Sequence, residues 1–557
     1  MIFPTRLRAP HYLALAIIAF ILFRPGQQAL PPIDRDEPRY AQATEQMLAS
    51  GNFIDVRFQD RPRYLQPAGI YWLQALAETV AGTPGAREIW VHRLPSLCGA
   101  IVSVLLTAAI GGRLFGPAAG ILAGMLLASS LLLGFEARLA TIDASLLACI
   151  LLAQSVLARV YLGRQMPMPP PRRILALFWI ALGCGLMLKG PVIALVCGGT
   201  LAALAVVDRR IGWMRRLQPA WGVPLTLAIV LPWCIAIAVV SHGEFFALSV
   251  GTNFLGKIAQ GQQAHGLPPG YYLVLFPFMF WPGSLMAVLA FPFVWANRRR
   301  PEVKFLLCWI VPTWLTFELV TTKLPHYVLP TYPAIACLTA AAATTAGAWA
   351  TRTGRLRHWR GWAFRGFAGI WLVWGVCLSL GLPLLLWQQE GRFDGWSWGI
   401  GAGATVLVIA TVVFVQKTQP GRAALAGMLA ATLAYANDYA MVLPGLDEIW
   451  ISPRVAAAVS ALRPCPDSVL ASSSFSEPSL VFLVGTDTKL VNATEAANHL
   501  LADPRCALAL VDARQDREFL ARMAERGASP RRLTEIAGIN YSTGRRLDLS
   551  LYAGPGT

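Results

Sequence analysis

The amino-acid sequence predicts an α-helical polytopic membrane protein, with about thirteen transmembrane helices and a small α/β domain at the C-terminal end. Three observations carry that expectation. The chain of 557 residues is 55% hydrophobic and only 14% charged, whereas a soluble chain carries roughly 25% charge. Its 19 Trp and 25 Phe are more than one water-soluble core can hide. Its Lys and Arg gather in every second gap between apolar stretches, so the net charge of +17 has to be read loop by loop. A disordered, collagenous or coiled-coil chain is excluded, and an ordinary cytosolic enzyme does not fit.

The expected spans lie near Leu13–Leu30, Leu94–Ile110, Ala118–Leu133, Ala144–Leu157, Ile174–Leu188, Pro191–Val207 and Trp221–Val240. They continue near Tyr271–Trp295, Phe305–Val320, Tyr327–Trp349, Gly366–Trp387, Trp398–Val415 and Ala423–Leu443. Several are shorter than the ~20 residues that cross the hydrocarbon, so their ends run into the flanks. With the N-terminus cytoplasmic, the cytoplasmic gaps hold Arg6, Arg8, Arg113, Arg164, Arg172, Arg173, Arg209, Arg210, Arg215 and Arg216. Further along they hold Arg298, Arg299, Arg300, Lys304, Arg352, Arg355, Arg357, Arg360, Lys417 and Arg422. The short gaps on the opposite side hold only Arg138, Lys189, Lys257, Lys323 and Arg392. The positive-inside rule demands this asymmetry, which also puts the C-terminus outside. The basicity is therefore topological, and no nucleic-acid partner is expected.

Residues 1–443 are expected to form the membrane domain, with large outer loops at 31–93 and 241–270, and residues 444–557 a separate external domain. In that tail, β-like runs (Ser468–Ser472, Leu480–Val484, Ala507–Val511) alternate with helix-like ones (Thr494–Leu501, Asp516–Arg526), as in a small α/β domain. Eight cysteines (Cys98, Cys149, Cys184, Cys197, Cys234, Cys308, Cys337 and Cys377) sit in apolar spans and behave as small hydrophobes. Cys465 and Cys506 fall in the tail, where an oxidising compartment permits a disulfide. The first outer loop, with Tyr71, Trp72 and Trp90 as interfacial anchors, is expected to lie along the outer membrane surface as amphipathic helices.

Chemistry is sought where charges approach the membrane from one side. The loop that starts Asp34-Arg35-Asp36-Glu37-Pro38-Arg39-Tyr40 offers Asp36 as an acid or base, set against the plainer reading of a solvated loop carboxylate. The Asp34-x-Asp36 spacing is only superficially that of a metal site. Asp143 opens a span, where it can cap a helix or face a site. Lys189 and Lys323 break apolar runs on the outer side, and Lys257 and His265 fall in the second outer loop. Each lysine can simply snorkel to the interface, yet they are almost the only cations on a face otherwise cleared of them. Lys189, Lys257, Lys323 and Arg39 together suit a lipid phosphate or pyrophosphate.

The ordered set of Asp36–Ala41, Met47–Gly51, Pro67–Trp72, Ile142-Asp143, Lys189-Gly190, Gln263–Pro268 ahead of Tyr271-Tyr272, Trp281-Pro282 and Lys323–Pro330 resembles the protein mannosyltransferase-like family of integral membrane glycosyltransferases. The likeness is to its branch that moves 4-amino-4-deoxy-L-arabinose to lipid A, and it runs over essentially the whole chain. The resemblance implies a GT-C fold in a bacterial inner membrane, with the C-terminal domain periplasmic. It also implies inverting transfer of a sugar from a polyprenyl phosphate to lipid A or another periplasmic acceptor, a protein or an envelope glycan included. By matching position, Asp36 and Asp143 become the functional acids. Arg39, Tyr40, Gln66, Lys189, Lys257, Lys323 and Tyr327 become donor-phosphate or substrate contacts. The branch has Glu-Lys-Pro where this chain has Leu65-Gln66-Pro67, so a charged pair near the donor phosphate is missing; His265 and the carboxylates remain as metal candidates, set against the plainer reading of His265 as a hydrogen-bonding loop residue. No cofactor is expected, transfer is expected to persist in EDTA, and the chain is expected to act as a monomer among membrane lipids. A lipid-linked transporter or flippase is the rival from another class. Against it, the charges gather at one face rather than at the midplane, and the sequence lacks an inverted repeat.

Overall fold

The computed structural model describes residues 7–83, 85–249, 251, 267–345 and 359–555. Lys257 and His265 lie outside the described residues, as do Arg6, Arg352, Arg355 and Arg357. The first part of the chain forms helices α1 (Ala9–Phe23), α2 (Asp36–Ser50), α3 (Gly69–Ala81), α4 (Ile89–Phe115) and α5 (Pro117–Ala128). It continues with α6 (Leu131–Glu136), α7 (Asp143–Leu162), α8 (Arg172–Lys189), α9 (Val192–Asp208) and α10 (Pro219–Val240). Among the described residues, six helices are long and apolar enough to cross a membrane: α4, α7, α10, Pro325–Thr344, Gly361–Glu390 and Gly395–Gln416. Other expected spans are also helical but fall short of that test. Helices α1, α5 and α9 have 15, 12 and 17 residues, and α8 carries Arg172, Arg173 and Lys189 at its ends. The chain is a multi-pass membrane protein.

Three expected spans are cut by identifiable chemistry. The apolar run Tyr271–Trp295 is not one helix but two, Tyr271–Met279 and Ser284–Asn297, bent by 119°. Pro282 at the break has no N–H for the preceding turn. The Trp281 carbonyl at the break accepts the first N–H of α6, from Leu131, at 3.1 Å. The run Ala118–Leu133 breaks at Ser129-Ser130, whose hydroxyls donate back to the Leu126 and Leu127 carbonyls at 3.3 and 2.7 Å. Leu13–Leu30 stops being helical at Phe23, ahead of Pro25 and Gly26. Gly26 has φ of 84°, and a Cβ there would meet Tyr439 Cβ at 2.8 Å.

The first outer loop departs from the expected surface-lying arrangement. Helix α2 is buried from Glu37 to Met47 apart from Arg39 and Gln46, because it is packed between α3 and the C-terminal domain. Tyr71 is core rather than an interfacial anchor: it is fully buried, and its hydroxyl accepts from Arg63 Nε at 2.9 Å. The loop is fastened by Arg93 of α4. Its Nε and Nη2 donate to both oxygens of Glu37, at 2.7 and 2.9 Å, and Nη1 and Nη2 also reach the carbonyls of Gln27, Leu30 and Pro31. The same Glu37 accepts the N–H groups of Ile33 and Ala140, each at 2.8 Å.

The C-terminal domain has a mixed five-stranded sheet, in the order β4-β3-β5-β7-β6 with β3 Leu470–Ser473, β4 Lys489–Val491, β5 Leu508–Asp512, β6 Arg531–Asn540 and β7 Arg545–Ala553. The two-residue pair β1 Arg57–Phe58 and β2 Arg61–Pro62 is a separate hairpin in the first outer loop. Strands β3, β4 and β5 run parallel, whereas β7 pairs antiparallel with β5 and β6. Alternation in β5 sends Leu508 and Leu510 to one face, against helix Ile451–Leu462, and Ala509 and Val511 to the other, against helices Ala493–Ala502 and Asp516–Ala524. The run Leu480–Val484, expected as a strand, is instead helix Pro478–Val484. Pro478 in its first turn favours the helix, and the buried Leu480, Val481 and Phe482 form an apolar run too short for periodicity to decide. Cys465 and Cys506 are joined in a disulfide across the starts of β3 and β5.

Removing Arg93 strands a fully buried carboxylate. Arg93→Met is expected to lower stability by about 3–5 kcal/mol, read as a loss of thermal stability in detergent, and the double variant with Glu37→Met is expected to recover part of it.

Candidate active site

The ends of α7 and α8 meet the segment that enters helix Tyr332–Thr344, and together with Leu65–Pro67 they enclose a cavity of about 180 Å³. Asp143 is the first residue of α7, where the positive end of the helix dipole faces a carboxylate. Lys189 is the last residue of α8. The chain leaves it through Gly190 at φ 60° and ψ −136°, a backbone conformation open to glycine, and then Pro191. Lys189 Nζ donates to Asp143 Oδ1 at 2.7 Å and stands 5.6 Å from the centre of the Tyr327 ring. His326 bridges two acids, with Nε2 at 3.8 Å from Asp143 Oδ2 and Nδ1 at 3.5 Å from Glu136 Oε1. Glu136 stands between two spans and accepts the Thr141 hydroxyl at 3.0 Å. Burial, then the neighbouring Asp143 charge, push its carboxyl up to about 8.

The predicted residues divide clearly. Asp143, Lys189, Gln66 and Tyr327 all line this cavity. Tyr40 joins them through its hydroxyl, which accepts from Gln66 Nε2, and Arg63 covers its ring at 4.8 Å. Asp36 lies at the start of α2 with 67% of its side chain exposed, ion-paired with Arg39 at 3.8 Å. It is outside the lining but near enough to Tyr327 and Glu136 to act on their charge. Lys323 does not join the proposed phosphate cluster. It is buried, and its Nζ turns back to the Val320 carbonyl at 2.6 Å. His326, Glu136 and Arg63 are the residues that sequence reasoning passed over. His326 and Arg63 stood inside segments it had marked and Glu136 in the gap between two expected spans, but only folding sets each beside Asp143 or Tyr40.

A larger cavity of about 840 Å³ opens at the opposite ends of α4, α7 and α8. Its lining includes Arg113, Arg159 and Pro169–Pro171 but no carboxylate. It therefore has cations on the basic side without the paired acids that distinguish the smaller cavity.

Asp34 faces away from the site, so Asp34 and Asp36 do not form a pair. The backbone N–H and hydroxyl of Ser479 donate to its two oxygens at 2.9 and 2.6 Å, and its own N–H donates to the Tyr541 hydroxyl at 2.7 Å. It helps to hold the C-terminal domain against the first outer loop. Arg87 does the same, donating to the Phe482 carbonyl at 2.7 Å and to Gln42 at 2.9 Å.

Known proteins resemble the chain in sequence and in fold. The family model described as dolichyl-phosphate-mannose-protein mannosyltransferase (PMT) matches residues 10–244. The undecaprenyl phosphate-α-4-amino-4-deoxy-L-arabinose arabinosyl transferase 2 of Pseudomonas fluorescens Pf0-1 is 27% identical over 318 residues, covering 53% of this chain and 52% of that protein. The corresponding transferase of Pseudomonas aeruginosa LESB58 is 27% identical over 333 residues, 57% of each chain. The chain thus spans about half the length of the curated relatives it matches. The crystal structure of ArnT from Cupriavidus metallidurans bound to undecaprenyl phosphate superposes with a TM-score of 0.71 at 19% identity, over 97% of both chains. The archaeal oligosaccharyltransferase AglB from Archaeoglobus fulgidus, in complex with an inhibitory peptide and a dolichol-phosphate, gives 0.53 at 11% identity, over 98% of this chain and 74% of that one.

Docking of the C-terminal domain is expected to depend on pH through Asp34. Burial, with a smaller contribution from the Glu477 charge, raises its carboxyl to about 7 against the opposing Ser479 hydrogen bonds and Arg39. The released, solvated carboxyl titrates near 3.9. The docked state therefore holds the proton more tightly, and its advantage is complete below about pH 4 and is lost as pH rises through about 7. Hydrogen exchange of residues 478–488 is expected to speed up between pH 5 and 8, by at most about tenfold per unit after correction for intrinsic rates. Asp34→Asn is expected to flatten that profile.

Proposed function

We propose that this chain, which carries the PMT family domain over residues 10–244 and has the GT-C fold, is an inverting glycosyltransferase. It moves a sugar, 4-amino-4-deoxy-L-arabinose, from undecaprenyl phosphate to lipid A at the periplasmic face of the inner membrane. The N-terminus is cytoplasmic, residues 1–443 form the transferase domain, residues 444–557 the periplasmic domain, and the chain works as a monomer. The observation that carries this reading is the cavity in which Lys189, Asp143, His326, Tyr327 and Gln66 converge at one end of the helices. The names of the relatives support the donor and the sugar.

Cleaving the bond between sugar and phosphate leaves extra negative charge on the phosphate. A fixed ammonium in a cavity shielded from water stabilises that charge as it develops. Lys189 is held by α8 and by Asp143, and the phosphate takes over its charge-assisted hydrogen bond when the donor enters. Gln66 and Tyr40 supply neutral hydrogen bonds beside it. Burial raises the Glu136 carboxyl and so favours its protonated form, which faces the His326 ring without a second full negative charge next to the leaving group. Asp36, exposed outside the cavity lining, is the carboxylate assigned to the acceptor. An acceptor lipid phosphate is already ionised at neutral pH, so Asp36 and Arg39 contribute more by positioning than by base strength. The description of the matched family favours a protein hydroxyl as the second candidate acceptor. Mass spectrometry of lipid A from cells with and without the protein decides between the two.

Asp36→Asn is expected to abolish transfer while the protein still purifies as a folded species, because the side chain is mostly in solvent; near-normal turnover would overturn the assignment. Lys189→Met is expected to cost roughly 2–3 kcal/mol in transition-state stabilisation, a 30- to 150-fold drop in kcat/KM for the donor. An unchanged value would return Lys189 to a purely structural ion pair.

A further inference from the structure

We propose that Glu45, Glu78 and His92 form a binding site for a divalent transition-metal ion of the Zn²⁺ type, which fastens α2, α3 and α4 together beneath the C-terminal domain. One ligand comes from each of these three helices, and all three side chains are more than nine-tenths buried. His92 Nε2 stands 3.3 Å from Glu45 Oε1 and 3.6 Å from Glu78 Oε2, and the ligand atoms all lie within 4.8 Å of one another. Tetrahedral Zn²⁺ with bonds of about 2.0–2.1 Å sets neighbouring ligand atoms about 3.3–3.4 Å apart. Two edges of the triangle are near that length, and the third is no longer than 4.8 Å.

A second observation is independent of this spacing. Glu78 Oε2, which faces the imidazole, has no hydrogen-bond partner although it is shut off from water. Native folds leave few buried polar atoms in that condition. Two buried carboxylates and one imidazole also form an oxygen and nitrogen donor set suited to a divalent ion, whose two charges balance the two acids. The surroundings fix the ligands in place. Gln74 Nε2 donates to the His92 carbonyl at 3.3 Å, the Gly85 N–H reaches Glu78 Oε1 at 3.4 Å, and Phe482 of the C-terminal domain meets the His92 ring edge-on at 5.7 Å. The site is separate from the sugar chemistry. Glu45 lies nine residues beyond Asp36 on α2, roughly 13–14 Å along the helix, so the ion acts on the packing of the loop rather than on the donor.

The test uses the full chain, purified in detergent with a histidine-free affinity tag, loaded with Zn²⁺ and desalted. Elemental analysis is expected to find about one tightly held equivalent. Chelation is expected to lower the thermal midpoint, and Zn²⁺ to restore it. Glu78→Gln and His92→Gln are expected to weaken Zn²⁺ binding at least about tenfold. Should His92→Gln fail to fold, Co²⁺ loading of the wild type gives a second measurement, with expected visible absorption bands of a low-coordinate nitrogen and oxygen site that Glu45→Gln removes. A Zn²⁺-loaded wild type that keeps less than about a tenth of an equivalent after desalting would overturn the proposal. So would Glu78→Gln and Glu45→Gln proteins that bind as much Zn²⁺ as the wild type. In either case the cluster is a carboxylate pair sharing a proton beside an imidazole.

Discussion

Arg93 and Glu37, both out of reach of water, exchange two charge-assisted hydrogen bonds, and much of the outer half of the molecule is arranged around that pair. Neither charge could remain there alone. The guanidinium also takes up carbonyls of the segment 27–31, which would otherwise be left bare where α1 ends, and Glu37 takes up the N–H groups of Ile33 and Ala140. Four pieces of chain are thereby set relative to one another: the end of α1, the start of α2, the start of α4, and the loop that leads into α7. The position of α2 fixes Asp36 and Arg39, and the position of the loop at Ala140 fixes Glu136 and Asp143. The site inherits its geometry from an ion pair that takes no part in its chemistry.

Helix ends supply the rest. A carboxylate at the start of α7 and an ammonium at the end of α8 each sit where the helix dipole favours their sign. Antiparallel packing of α7 and α8 then brings the two termini to the same side of the protein. The break at Gly190 leaves the lysine at the helix C-terminus; a helix that continued would place it mid-helix, without the negative end of the dipole beside it. The C-terminal domain closes the arrangement from outside. Helix Pro478–Val484 packs Phe482 among Ala41, Ile89 and Ala140, so the domain touches the same loop that holds Asp143.

The membrane fold was legible in composition and charge spacing because both report directly on the solvent around each segment. The cut points within spans were harder to read. Ser129-Ser130 and Pro282 are visible residues, but whether a span bends at them depends on the partners that folding brings to the break, as the Leu131 N–H comes to the Trp281 carbonyl. Of the site, Asp143, Lys189, Tyr327, Gln66 and Tyr40 could be named from sequence because they sit in ordered motifs. Lys323 looked equivalent to Lys189, but its Nζ is bound to the Val320 carbonyl of its own turn, whereas Lys189 reaches Asp143 across two helices. His326 and Glu136 were hidden for the opposite reason, because their partners are distant in sequence and the pairing exists only after folding. The β6–β7 hairpin, with its exposed arginines, lacks the apolar runs by which the shorter strands were recognised.

The resting pairing of Lys189 with Asp143 bears on how such a cavity can be ready for an anion and still stable without one. An unpaired ammonium in this half-buried place would lose its proton or draw in water. The aspartate prevents both and holds the cation where it is needed. On the proposed reading, an entering donor phosphodiester, with two non-bridging oxygens able to accept, would compete for the same ammonium, while Asp143 keeps His326 at 3.8 Å as its other partner. Binding would then exchange one ion pair for another rather than create a new one, which keeps the desolvation cost low. The same exchange explains why Gln66 is adequate beside it. With the cation supplied by Lys189, a neutral amide has only to orient Tyr40 and donate one hydrogen bond, and a second fixed positive charge would have required a second buried acid to hold it.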